Sequence, residues 1–171
     1  ADTRKPVTKL SGPPPETGRW SFYRGINLNG PAIEIDGQKW ESDAAGNFIC
    51  KDRAVDSPRV RLSPPTDAAR AKMIHSFRWD HKVSIRLSNV PAGRYAVYAY
   101  VWEDNNPETF SISLEGSVVA RDYDSGLEGE WRRLGPWVVK IADGSIDITS
   151  RGGAANFSGI EVWKAAGDSS R

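Results

Sequence analysis

The segment richest in potential chemistry reads Tyr100-Val101-Trp102-Glu103-Asp104-Asn105-Asn106-Pro107-Glu108-Thr109. An apolar stretch ends in a tryptophan, then come four carboxylate or amide side chains and a proline. Planar carboxylates and amides bond vicinal hydroxyls in pairs, while a neighbouring indole stacks on the apolar face of a sugar ring. The same oxygens suit Ca²⁺, and Asp-Asn-Asn-Pro is also ordinary turn chemistry. The segment alone leaves these readings open.

Two further tryptophans weigh toward a ligand surface. Trp40 sits among Lys39, Glu41, Ser42 and Asp43, and Trp79 lies within Phe77-Arg78-Trp79-Asp80-His81. Both fall at the ends of predicted elements in polar company, where a core ring is less expected than one that meets a ligand. Trp137 and Trp163 fall in strand patterns and are expected in the core. Trp20 and Trp131 fit core or surface equally.

Other chemistry finds little support. No Gly-x-Ser-x-Gly occurs. The single cysteine, Cys50, forms neither an internal disulfide nor a zinc cluster and reads as a buried, inert thiol. His75 and His81 match no zinc spacing. The glycine-rich Arg151–Ala155 run opens no helix with a Lys-Ser/Thr, so no phosphate loop is expected. Carboxylates are too plentiful for any pair to argue for glycoside hydrolysis. With 23 Lys+Arg against 22 Asp+Glu, the balance opposes a broad nucleic-acid surface. The apolar runs are too short for a membrane-spanning helix.

The elements that must position these residues are mostly strands. The 171 residues make room for one domain: a Pro/Gly-rich, linker-like tail over 1–19, a sandwich over 20–165 and a second tail over 166–171. Ile33 and Ile35 followed by Asp36-Gly37 predict a hairpin across 32–42. Val83, Ile85 and Leu87 alternate, as do Phe110, Ile112 and Leu114, with Glu115-Gly116 turning into Val118-Val119. Residues 94–102 are apolar on both faces and predict a central strand. Trp137, Val139 and Ile141 lead through Asp143-Gly144 to Ile146 and Ile148, and Ile160 and Val162 mark a last strand. Pro64-Pro65-Thr66 precedes an Ala-rich stretch that predicts one short helix near 67–75, capped by Thr66. The fold class is an all-β, antiparallel β-sandwich with one helix.

These residues resemble, in order and spacing, the malectin-like branch of galactose-binding-type β-sandwich domains. Tyr23–Gly30 is similar to that family's Ile-Asn-x-Gly-Gly strand and turn. Trp40-Glu41-Ser42-Asp43 stands at its aromatic-x-x-Asp, Ser76–Trp79 at its Thr-Glu-Arg-Tyr, and Asn89–Tyr95 at its Pro-x-Gly-x-Tyr. Tyr100–Glu103, Phe110–Gly116 and Asn156–Val162 resemble later strands of the pattern. The resemblance spans residues 21–164 and implies a jelly-roll, galactose-binding-like sandwich. Members are generally non-catalytic carbohydrate binders attached to enzymes or receptors. The family's sugar-binding aromatics would fall on Trp40, Trp79 and Trp102, with Glu103 beside the last, and its acidic final-loop residue on Asn156. Trp replaces Tyr at the first two places, and Asn replaces Asp at the last.

Taken together, the expectation is a non-catalytic carbohydrate-binding module, extracellular or periplasmic, attached to other domains. It binds neither nucleic acid nor membrane and requires no cofactor. The expected site is Trp40, Arg78, Trp79, Trp102, Glu103, Asp104, Asn105, Asn106 and Asn156, with Arg78 serving an acidic glycan. A structural Ca²⁺ is a further expectation, without assigned ligands. A protein-interaction sandwich and a small glycan-active enzyme are the alternative readings.

Overall fold

The computed structural model describes residues 5–15 and 18–167. Its elements run β1 (Trp20–Asn27), β2 (Ile33–Ile35), β3 (Gln38–Trp40), β4 (Phe48–Ile49), β5 (Arg53–Asp56), α1 (Ala68–His75), β6 (Ser76–Asp80), β7 (Ser84–Leu87), β8 (Gly93–Trp102), β9 (Thr109–Leu114), β10 (Ser117–Asp124), β11 (Trp131–Ile141), β12 (Ile146–Gly152) and β13 (Ala155–Ala165). One sheet has the order β11-β8-β13-β6-β5, with β1 also paired to β13. The other has the order β10-β9-β12-β7-β4. All pairings within the two sheets are antiparallel, so the expected sandwich with one helix is the fold.

The Asp36-Gly37 and Glu115-Gly116 turns have φ values of 52° and 78°, and of 53° and 80°. Positive φ at both central residues matches the right-handed twist of the flanking strands, which is why Asp-Gly marks the first hairpin in the sequence. The helix cap lies one residue later than expected. Asp67 is extended and its side chain accepts the Arg70 amide, whereas the Thr66 hydroxyl donates to the Val7 carbonyl.

Strand β8 explains why its sequence is apolar on both faces. Tyr95, Val97, Ala99 and Val101 enter the core between the sheets, beside Ile85, Leu87, Ile112, Ile146 and Ile148. On the outer face, Tyr100 and Trp102 enter a second core with Trp40, Met73, Ile74, Phe77 and Trp131. Helix α1 and the β2–β3 hairpin cover that face.

The described residues of the expected N-terminal tail also cover it. Val7 and Leu10 pack on the second core, and the Val7 amide donates to the Pro65 carbonyl. The Leu10 and Ser11 amides both donate to Asp36 Oδ2, at 2.9 and 2.8 Å. Asp36 in turn pairs with the fully buried Arg70. Val7 makes a parallel bridge with Thr66, and the Leu10 and Ser11 amides are satisfied by a carboxylate rather than by a neighbouring strand. Residues 1–4, 16, 17 and 168–171 lie outside the described residues.

Candidate functional site

Cross-strand register builds one end of the outer face. Arg53 on β5 pairs with Trp79 on β6, which pairs with Asn156 on β13. The neighbouring pair, Phe157 with Val101, places Trp102 alongside on β8, and Trp102 pairs with Trp131 on β11. This row is covered at one end and open at the other. Trp131 stacks near Tyr100, and Trp102 meets His75 and Phe77 edge-on at 5.6 and 5.3 Å. Trp79 remains half-buried at the open end.

There the loop after β8 folds over the start of β13 and leaves a cleft of about 300 Å³. Trp79, Phe77 and Ala154 supply its apolar wall. Glu103, Asp104, Asn105, Glu108, His81 and Asn156 supply its polar atoms. The volume is at the lower end of small-molecule sites, and the lining is more polar than apolar.

The polar side is held by bonds within the fold. Asn156, only 6 % exposed, donates from Nδ2 to Asp104 Oδ1 at 2.8 Å. Glu103, 2 % exposed, accepts the Ser125 hydroxyl at 2.7 Å and the Asn105 amide at 3.0 Å. Burial pushes the Glu103 carboxyl above its ordinary value despite those bonds, and the charges of Asp104 and Glu108 push the same way. The Glu108 amide donates to Ser125 Oγ at 2.8 Å. Its carboxylate has no hydrogen bond among the described residues. Arg53 lies over the Trp79 ring, 4.7 Å from its centroid, but does not line the cleft.

Five of the nine expected residues therefore meet: Trp79, Glu103, Asp104, Asn105 and Asn156. The other four do not. Trp40 is 2 % exposed, against the expectation of a surface ring. Its indole lies flat over two glycines, where a Cβ on Gly25 or Gly159 would come within 2.5 or 2.7 Å. Trp102 is 1 % exposed, because α1 and β6 close over the strand end on which it was expected to be open. Arg78 alternates to the other side of β6 from Trp79 and donates to the Leu28 and Asp52 carbonyls, each at 3.0 Å. Asn106 is exposed on the loop but does not line the cleft.

The sequence reading missed Phe77, His81, Glu108 and Ala154 as lining residues. Phe77 and His81 flank Trp79 in the segment already singled out, and Glu108 ends the loop segment. Ala154 carries no local signal. The Asn156–Asp104 bond joins the start of β13 to the loop after β8 and sets a carboxylate beside the amide at that wall of the cleft.

Away from this cleft, Glu115, Asp143 and Asp147 bring carboxylate oxygens within 4.8 Å of one another. Asp147 is already paired with Arg86 at 2.6 Å and accepts the Ser145 hydroxyl at 2.8 Å. Glu115 accepts the Asp147 amide at 2.6 Å. Among the described residues this is the one acidic triad with the spacing of a cation site.

No protein-family model matches the chain, and no curated protein matches it. Solved structures do. The β-glucuronidase 2 of Bacteroides uniformis, covalently bound to cyclophellitol-6-carboxylate aziridine, matches with a TM-score of 0.69 and 16 % identity, over 84 % of this chain and 18 % of that one. The ANX1 ectodomain from Arabidopsis thaliana matches with a TM-score of 0.70 and 11 % identity, over 87 % of this chain and 50 % of that one. The plant receptor-like kinase ANX2 matches at 0.68 and 12 %, over 87 % and 49 %. The chain thus spans half the length of the receptor structures and under a fifth of the glycosidase. At such identities the likeness is one of fold: this chain shares a β-sandwich fold with these structures, as the resemblance read from the sequence implied, and in each of them the matched part belongs to a longer chain.

Proposed function

We propose that the chain is a non-catalytic carbohydrate-binding module, working outside the cytoplasm as one domain of a larger protein. The observation that carries this reading is the cleft beside Trp79. A half-buried indole stands at one end of a strand row, facing carboxylate and amide groups fixed by their own hydrogen bonds. Such an arrangement stacks one sugar face and bonds its hydroxyls with little reordering on binding. Location and attachment follow from the same reading, because the receptor match is an ectodomain and each match covers part of a longer chain.

Carbohydrate is the proposed partner. One stacked ring contributes about 1–3 kcal/mol, by analogy with base stacking. With a few hydrogen bonds, that corresponds to dissociation constants of about 10 μM to 1 mM. A glycan array followed by calorimetry tests the reading, and an array without a ligand removes it. The candidate place for the structural Ca²⁺ expected from the sequence is the Glu115, Asp143 and Asp147 triad, some of whose oxygens also accept from Arg86, Ser145 and backbone amides.

A further inference from the structure

The charge around the cleft divides sugars by class. Glu103, Asp104 and Glu108 line it together, and no lysine or arginine does. Burial chiefly raises the Glu103 carboxyl above its ordinary value, and the neighbouring charges of Asp104 and Glu108 add to it. Glu103 spends both oxygens on Ser125 and Asn105. Asp104 Oδ1 takes Asn156, leaving Oδ2 and the whole Glu108 carboxylate without a bond among the described residues. The basic side chains beside it are Arg53 and His81. The Arg53 guanidinium covers the Trp79 ring from outside the lining, and exposed His81 meets the Gly152 carbonyl through Nδ1. Arg78, the expected contact for an acidic glycan, is held by two carbonyls away from the cleft.

Resting on the module reading above, we infer that the cleft selects glycans bearing a free amine and excludes uronic acids. A protonated amino group on a sugar stacked beside Trp79 lies within reach of Asp104 and Glu108. A uronate in the same position meets two unpaired carboxylates in a partly desolvated site. Opposite charges at contact distance favour the amino sugar by about tenfold over its neutral counterpart at low ionic strength. Salt erodes that preference because the cleft is open to solvent.

The test uses the full chain on an array carrying neutral, N-acetylated, free-amine and uronic-acid oligosaccharides at about pH 6, where amines are protonated. Hits are then measured by calorimetry at low salt and at about 0.5 M NaCl. The expected result is binding of amino sugars about tenfold tighter than neutral sugars of the same skeleton. The ratio shrinks in high salt and in Glu108→Gln, and no uronate binds. Uronates among the hits, or amino sugars no tighter than neutral ones, overturn the charge selection while leaving a neutral-sugar module standing. An array with no ligand overturns both. A ratio unmoved by Glu108→Gln and by salt also overturns the selection.

Discussion

Asn156 on β13 donates to Asp104 on the loop after β8 at 2.8 Å, tying two separate segments into one wall of the cleft. Replacing the amide by a carboxylate sets two anions at hydrogen-bond distance. Asn156→Asp should therefore lower stability by about 1–2 kcal/mol at neutral pH. The new pair holds a proton more tightly when folded than when unfolded. Its relative stability is then best in acid and falls as pH rises through the pair's raised value. Thermal melts of both proteins between about pH 4 and 8 check this, with a Tm gap that widens toward neutral pH as the expected outcome.

Trp40 is expected to matter for stability and not for binding. Its indole fills a slot between Gly25, Gly159 and Met73 and meets Tyr100 edge-on at 5.6 Å. Gly159→Ala should cost about 1–3 kcal/mol by overpacking, and Trp40→Ala about 3–5 kcal/mol by leaving a void. Denaturant unfolding measures both losses. Ligand affinity of the folded Gly159→Ala protein should match the parent.

The N-terminal segment should let go in acid. Burial alone would raise the Asp36 carboxyl, but the Leu10 and Ser11 amides and Arg70 bring it below its ordinary 3.8. A lowered folded-state value means that this stabilisation is present above 3.8 and is lost as pH falls through the lowered value. Hydrogen exchange at the Leu10 and Ser11 amides, corrected for the intrinsic pH dependence, should lose protection over that acid window. Asp36→Asn should show reduced protection already at neutral pH.

Cys50 should behave as a silent thiol. Burial pushes its pKa up to about 12, and only traces of thiolate exist near neutrality. Ellman's reagent should react slowly with the native protein at about pH 8 and rapidly once the chain unfolds. Fast native-state labelling would contradict the assigned environment.

Much of the fold was legible because it rests on short-range signals. Alternation marked the strands around Ile85, Ile112 and Ile148, and Asp36-Gly37 marked a hairpin whose positive φ values suit that pair. The apolar run of β8 also declared that both of its faces are covered. What covers the outer face depends on contacts across the chain. Nothing near Trp40 announces that Gly159 lies beneath it, and nothing near Pro13 announces that Leu10 and Ser11 find Asp36. For that reason Trp40 and Trp102 read as surface rings, and residues 5–15 read as a tail. The cleft was half legible. Its loop and Trp79 stood out by type and company, while the separation of Arg78 from Trp79 follows from strand alternation that the segment alone did not reveal.

Calorimetric titration of the parent and of Trp79→Ala with the best glycan from the array tests the central claim most directly. Trp79 is half-buried at the rim, so the variant should keep its fold, as read by circular dichroism. The account predicts a loss of at least about tenfold in affinity, equivalent to roughly 1.4 kcal/mol or more. A folded Trp79→Ala protein that binds the same glycan with undiminished affinity would contradict it.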